Sequence, residues 1–106
     1  MEYRTIILKD INYKTPNRYY YITLKDKIYR FDVRWNKYGK YAILSIYNSE
    51  NQAIITGRAM TNGLKIRNNK LPYVMYFLQK DGKTYEPDLD CFSSDFVLVC
   101  GEEING

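Results

Sequence analysis

Residues 29–36 alternate strictly between apolar and polar side chains, and three of the four polar ones are charged. Successive side chains of a β-strand point to opposite faces, so this period of two predicts a strand with one packed face and one solvated face. Charged side chains belong on the solvated face because they are costly to bury. The predicted core positions are Tyr29, Phe31, Val33 and Trp35, and the predicted outward positions are Arg30, Asp32 and Arg34.

Similar alternation recurs along the chain, and polar turn residues separate one stretch from the next. Aromatic and β-branched residues are frequent, which favours strands, and no segment has the period of a long helix. We therefore predict an all-β fold, a single small antiparallel barrel or sandwich of about seven strands. The predicted strands are residues 4–9, 19–24, 27–35, 41–47, 52–60, 73–79 and 95–100.

Several connections carry specific turn signals. Only Lys25 and Asp26 separate two of the predicted strands, a length typical of a tight two-residue hairpin. Gly39 is the expected left-handed residue of the next reversal, and Gly57, inside a strand, indicates a β-bulge or a close backbone approach. Residues 64–71 are polar and basic, and we predict a loop there.

The length of the chain, 106 residues, suits one hydrophobic core and is too short for two independent domains. We expect a single β domain over residues 1–106, with a core over about 3–100 and a polar tail at 101–106. No apolar run approaches the roughly 18–20 residues that cross a bilayer, and the first residues lack the apolar segment of a signal peptide. Neither export nor membrane insertion is expected.

Candidate catalytic and metal-binding groups are sparse. The chain has two cysteines, Cys91 and Cys100, and no histidine, so it lacks the ligands of a structural zinc site and an imidazole base for a thiol nucleophile. We expect free thiols, with a disulfide as the alternative. The acidic segment is expected to be a solvated loop, with a contact to a basic partner or a metal site as alternatives. Its carboxylates are Glu86, Asp88, Asp90 and Asp95. We predict no enzyme, no catalytic residue, no bound metal and no cofactor.

Charge divides the chain into two parts. Residues 1–70 carry fourteen Lys and Arg against five Asp and Glu, a net charge of +9, whereas residues 71–106 have a net charge of −5. We expect the Lys and Arg residues of the basic part to lie on solvated outer strand faces. The alternative is that they attract nucleic acid or an acidic protein surface.

Nucleic-acid binding is the rival function that the aromatic residues raise. In small barrels that bind single strands, aromatic rings stack on bases while arginines hold phosphates. Here the run Tyr19 to Tyr21 and the arginines at 30 and 34 have suitable chemistry. However, alternation sends Tyr20 to one face and its two neighbours to the other, and the aromatic stripe of residues 29–35 has the pattern of a core. We therefore expect core packing rather than a stacking platform.

The sequence of strands and turns also resembles a known family. Residues 29–36 read Tyr-Arg-Phe-Asp-Val-Arg-Trp-Asn, residues 44–48 read Leu-Ser-Ile-Tyr-Asn, and a Thr-Gly pair follows in the next strand. In this order they resemble the phage baseplate plug family, small proteins of contractile-tailed phages and phage-tail-like particles. The resemblance extends to the acidic segment 86–90 and the closing strand 96–99, and covers roughly residues 3–100.

The resemblance implies a noncatalytic virion protein at the centre of the baseplate, next to hub, spike and tail-tube proteins, that helps close the tube lumen until contraction. It implies synthesis in the bacterial cytoplasm, localisation in the tail baseplate of a phage or a tail-like particle, and a ring of three as one arrangement. A small nucleic-acid-binding barrel is the alternative function.

Partner contacts are expected on the solvated strand faces, because tyrosine and arginine side chains are frequent anchors of protein interfaces. Exposed strand edges are a liability for a free monomer, and burial in an assembly removes it. The predicted partner-binding residues are Tyr19, Tyr21, Arg30, Arg34 and Tyr47.

Overall fold

The computed structural model describes residues 4–103, which form eight strands and one short helix. The strands are β1 (Arg4–Ile6), β2 (Asn17–Leu24), β3 (Lys27–Asn36), β4 (Tyr41–Tyr47), β5 (Ala53–Ala59), β6 (Leu64–Ile66), β7 (Tyr73–Gln79) and β8 (Phe96–Glu103), with helix α1 (Phe92–Asp95) before β8.

The strands form two four-stranded antiparallel sheets with the orders β1-β8-β7-β6 and β2-β3-β4-β5. The second sheet is a simple meander, as expected for strands joined by short turns. The predicted all-β class is confirmed, and the architecture is a sandwich rather than a closed barrel.

One hydrophobic core fills the space between the sheets. The inward side chains of β3, among them Phe31 and Val33, have no exposed surface, and neither does Phe77 on β7 of the opposite sheet. Tyr29 is also buried, whereas Trp35, the last residue of the predicted apolar stripe, is only partly buried and packs against the core. The alternation of residues 29–35 therefore gave the inward face correctly.

Several local predictions need correction. Residues 64–71 are not entirely a loop, because Leu64–Ile66 forms β6 and pairs with β7. Residues 101–103 continue β8 rather than beginning a tail, whereas residue 3 of the predicted core and residues 104–106 of the predicted tail lie outside the described part of the chain. In the β3–β4 turn the left-handed residue is Lys40 and not Gly39. At Gly39 an added Cβ would lie 2.1 Å from the Tyr41 ring, so a larger residue there requires this ring to move.

A double irregularity bends β5, as the glycine in that strand predicted. Pairing shifts between Leu44 and Ile46 and again between Ile46 and Tyr47. At the first shift Gly57 has φ +64°, and its N–H donates to Ser45 Oγ at 3.2 Å. A left-handed glycine at such a place is typical of a β-bulge.

The two-residue turn between β2 and β3 is a type I′ hairpin. Leu24 pairs with Lys27, and both central residues have positive φ, 47° at Lys25 and 68° at Asp26. The turn matches the twist of the strands, but it places two residues with a Cβ in the left-handed region, where only glycine is free of strain.

Replacing Asp26 with glycine is expected to raise the free energy of unfolding by about 0.5–1 kcal/mol, because the relief of left-handed strain exceeds the extra entropy of glycine in the unfolded chain. Chemical denaturation of the two proteins measures the difference. Asp26→Ala is the matched control, since it removes the carboxylate but keeps the strained Cβ. Equal stabilisation by both substitutions would assign the effect to charge and contradict this account.

Tyr20 links β2 to the segment that follows β1 through a hydrogen bond. Its hydroxyl donates a hydrogen bond to the Lys9 carbonyl at 2.7 Å, and its ring packs against the core. Burial, with a smaller contribution from Asp10, raises the pKa of Tyr20 to about 12. The neutral phenol is therefore the form that the fold requires.

Stability is expected to fall as the pH rises from 10 to about 12, because the unfolded chain then releases the Tyr20 proton while the folded chain keeps it. Below this range the contribution of Tyr20 is fully present. Unfolding of the wild type and of Tyr20→Phe, compared at about pH 9 and about pH 11, isolates this residue from the other tyrosines. We expect the stability difference between the two proteins to shrink at the higher pH, and an unchanged difference would contradict the shifted pKa.

Candidate interaction face

The outer face of the β2-β3-β4-β5 sheet carries the five residues predicted to bind a partner. Tyr21 on β2 lies opposite Arg30 on β3, and Arg30 lies opposite Tyr47 on β4. Side chains that are directly opposite on one face of a sheet are neighbours. These three therefore form a continuous row across the sheet, which we call the Tyr-Arg row.

Tyr19 and Tyr21 are exposed on this face, with 63% and 69% of their surface accessible. Their rings meet edge to face, with centroids 5.7 Å apart and planes at 83°. Two large rings held against each other lose little further conformational entropy when a partner covers them, which suits an anchoring contact.

Arg30 is held in place by three neighbours. Its Nε donates to Asp32 Oδ1 at 3.0 Å, its Nη1 donates to Asn51 Oδ1 at 2.8 Å, and its guanidinium lies 4.4 Å from the centroid of the Tyr47 ring. A planar guanidinium suits such stacking and forked hydrogen bonding. The charge is thus fixed in direction and half-exposed.

Arg34 lies further along the same face of β3, opposite Asn17 and Ile43. It is exposed, and no ion pair neutralises it within the part of the chain that the structure describes. Tyr47, by contrast, is half-buried beneath the Arg30 guanidinium. All five predicted residues share the outer face. Tyr19 and the Tyr-Arg row lie close together, whereas Arg34 lies further along β3.

Sequence reasoning missed two members of this face. Ile28, with 53% of its surface exposed, has the same outward parity on β3 as Arg30, so the alternation was sufficient to find it. Asn51 lies in the turn between β4 and β5 and reaches Arg30 from 21 positions away. Only the register of the folded sheet brings Asn51 and Arg30 together, and no sequence pattern indicates that contact.

The opposite sheet has an apolar strip on the outer face of β7 and β8, in which Leu78 is exposed, Tyr76 and Val99 are half-buried and Val97 is buried. Tyr76 pairs with Val99 and Leu78 pairs with Val97, and all four side chains point away from the core positions Met75 and Phe77. Strands that are apolar on both faces are usually covered on both faces. The continuous apolar run in residues 73–78 was the available signal.

The acidic segment is organised by hydrogen bonds within the chain. The Tyr85 hydroxyl donates to Asp95 Oδ2 at 2.7 Å, and with the Ser94 hydroxyl it holds the pKa of Asp95 below its usual range. Gln79, almost fully buried, donates to the Tyr85 oxygen and accepts from the main chain of Asp81 and Lys83. These polar groups therefore hydrogen-bond to one another and hold the segment between β7 and β8 in place.

Both cysteines are free thiols, one half-buried and one buried. Burial raises the pKa of Cys91 and of Cys100, which lowers the fraction of reactive thiolate. Within residues 4–103 no three His, Cys, Asp or Glu side chains are arranged to hold a metal ion. The same residues include no helix long and apolar enough to span a membrane.

An open groove of about 680 Å³ lies at the end of the sandwich where the β2–β3 and β4–β5 turns meet residues 69–72. Its floor is apolar, with buried Leu24 and Leu71, and its rim carries three lysines against Glu50. The groove continues the positive character of the basic part of the chain; the three lysines are Lys25, Lys27 and Lys70.

Comparison with known proteins identifies a family. The family model described as cyanophage baseplate Pam3 plug gp18 matches residues 5–103, which is nearly the whole chain. No curated protein matches the chain significantly.

Proposed function

Because this chain belongs to the cyanophage baseplate plug family, whose model covers residues 5–103, we propose that it is the plug of a contractile tail, seated at the central hub and spike and closing the tail-tube lumen. Membership confirms the resemblance seen in the sequence and assigns the chain a structural role in a phage baseplate. The closing of the lumen by this domain is the proposal.

In this proposal the protein is noncatalytic, and its neighbours are the hub, spike and tail-tube proteins. Residues 1–106 act as one β domain, made in the bacterial cytoplasm and carried into the particle. A ring of three is the proposed arrangement, since baseplate hubs and spikes of this kind resemble threefold assemblies and most oligomers have closed symmetry.

The single observation that supports this role most directly is the family match over the described sandwich. The outer face of the β2-β3-β4-β5 sheet adds a physical reason. Exposed Tyr19 and Tyr21 lie beside an arginine fixed by Asp32 and Asn51, and rigid tyrosines with oriented arginines are typical of interface anchors. We propose that Tyr19, Tyr21, Arg30, Arg34 and Tyr47 make the partner contacts.

The test is the position of the protein in purified particles. Cryo-electron microscopy of tails from wild-type and deletion strains is expected to show density that fits the sandwich at the distal end of the tube, present only in the wild type. Proteomic analysis of the same tails provides the control for incorporation. If the protein is absent from purified tails, or lies at the outer rim of the baseplate, the proposal is wrong.

A second candidate function is binding of single-stranded nucleic acid, because exposed tyrosines beside arginines can stack on bases. The structure of the face favours a protein partner: the tyrosine rings already contact each other, and Arg30 is engaged by Asp32 and Asn51. Retention on single-stranded DNA that weakens steeply with salt, and is lost in Tyr19→Ala, would support the second candidate instead.

A further inference from the structure

The four edges of the two sheets are not equivalent. Within residues 4–103 the edge strands β1 and β6 contain three residues each, and β5 is interrupted by two register shifts. Short length and bulges are the usual means by which proteins prevent unwanted strand pairing. β2 has neither, since it runs for eight residues in unbroken register with β3.

The main-chain groups that β2 leaves open are those of its exposed tyrosines. The two-residue hairpin makes Leu24 and Lys27 the last hydrogen-bonded pair, and hydrogen-bonded and non-bonded pairs alternate along antiparallel strands. Tyr19, Tyr21 and Thr23 therefore direct their N–H and C=O groups away from β3. The Thr23 carbonyl already accepts a bond from the Arg4 guanidinium, whereas no hydrogen bond within residues 4–103 occupies this side of Tyr19 or Tyr21.

The surroundings of this edge are positively charged. Arg18 lies in β2 itself, Arg4 contacts Thr23, and the Lys9 carbonyl accepts from Tyr20. Lys25 and Lys27 stand at the hairpin end. The carboxylates nearby are Asp10 and Asp26, together with Asp32, which lies opposite Tyr19 and is paired with Arg30. Two copies of this edge would bring like charges together, whereas an acidic strand would be attracted.

We propose that the free edge of β2 binds an extended, acidic segment of another protein, which adds to the sheet as a fifth strand through the main chain of Tyr19 and Tyr21. This inference rests on the proposed function, because a neighbouring protein of the particle supplies that segment. Main-chain hydrogen bonds provide affinity in such strand addition, and side chains provide selectivity. The rings of Tyr19 and Tyr21 lie beside the incoming strand and shield its hydrogen bonds from water.

The first experiment uses amide hydrogen exchange of the isolated protein, followed by NMR. The probe is a synthetic peptide of alternating valine and glutamate with the length of β2, and the matched control peptide alternates valine and lysine. We expect the valine–glutamate peptide to slow exchange at the amides of Tyr19 and Tyr21 and to leave the Tyr20 amide, already bonded to β3, unchanged. Protection by neither peptide, or equally by both, would overturn the proposal.

The second experiment compares Tyr21→Pro with Tyr21→Ala. Proline removes the open N–H and alanine keeps it, while both remove the ring. Tyr21→Pro is expected to bind the valine–glutamate peptide about tenfold more weakly than Tyr21→Ala, the effect of losing one or two hydrogen bonds. Equal binding by the two variants would contradict strand addition. Because the exchange pattern is measured on the wild type, it remains decisive if the proline variant does not fold.

Two further outcomes separate this inference from its alternatives and from the proposed function. A free protein that sediments as a dimer, and becomes monomeric in Tyr21→Pro, would assign the edge to a second copy and overturn the proposal. Tails that contain the protein while neither peptide binds would overturn the strand addition alone. Absence of the protein from purified tails would overturn the proposed function, whatever the peptides do.

Discussion

Replacing Phe77 with alanine is expected to lower the free energy of unfolding by about 3–5 kcal/mol. Phe77 has no exposed surface, and its ring lies 5.2 Å from Phe92 and 5.3 Å from Phe96, centroid to centroid. The substitution removes the central ring of this cluster and leaves a cavity that the surrounding strands fill only in part. Since small domains are stable by only about 5–15 kcal/mol, a large share of the stability is lost.

Leu78→Ala is the matched control for this experiment. Leu78 is the next residue of the same strand, but it faces outward and has 37% of its surface exposed. Its truncation is expected to cost less than about 1 kcal/mol, because no cavity forms. Urea denaturation followed by tryptophan fluorescence gives both values. Similar losses for the two variants would mean that the core does not lie between the two sheets as described.

Replacing Arg30 with alanine is expected to weaken attachment to the baseplate by about 2 kcal/mol or more, roughly a thirtyfold loss. Arg30 combines a fixed orientation with a half-exposed charge at the centre of the Tyr-Arg row. Its effect on folding is expected to stay below about 1 kcal/mol, because surface ion pairs such as that with Asp32 contribute little. The loss is therefore one of binding, with the fold intact.

The measurement is competition between variant and wild type co-produced in equal amounts, with their ratio in purified tails determined by mass spectrometry. Arg67→Ala is the control, because Arg67 is exposed outside this face and its replacement removes the same charge. Arg30→Lys tests whether the guanidinium geometry matters, because lysine keeps the charge but lacks the planar group that stacks on Tyr47 and donates two hydrogen bonds. Depletion of Arg67→Ala to the same degree as Arg30→Ala would show that net charge, and not this contact, governs attachment.

The meander of β2 to β5 followed closely from the sequence, because β3 and β4 alternate cleanly, Gly57 marked the bulge in β5, and each turn is short. The predicted 27–35 and the observed Lys27–Asn36 differ by one residue. β6 was missed because three residues give no readable period, and its pairing of Leu64 with Phe77 depends on where β7 lies. The choice between barrel and sandwich was open for a similar reason, since closure depends on which edges meet.

For the candidate face, alternation identified which side chains point outward but not how they are arranged. Tyr21, Arg30 and Tyr47 form a row only because the register of two strand pairs aligns them. The oriented state of Arg30 needs Asn51, which a turn brings back to β3. The open edge of β2 was likewise hidden, since it depends on the other three edges being short or bulged.

The inequality of the four edges also limits how this protein can aggregate. Growth of a cross-β fibre requires every molecule to offer two edges that accept a strand, one for the molecule below and one for the molecule above. In the part of the chain that the structure describes, β2 is long and regular, β5 is bulged, and β1 and β6 are short. Within the described residues each molecule therefore offers one edge suited to accidental pairing, and such pairing stops at two copies without starting a fibre.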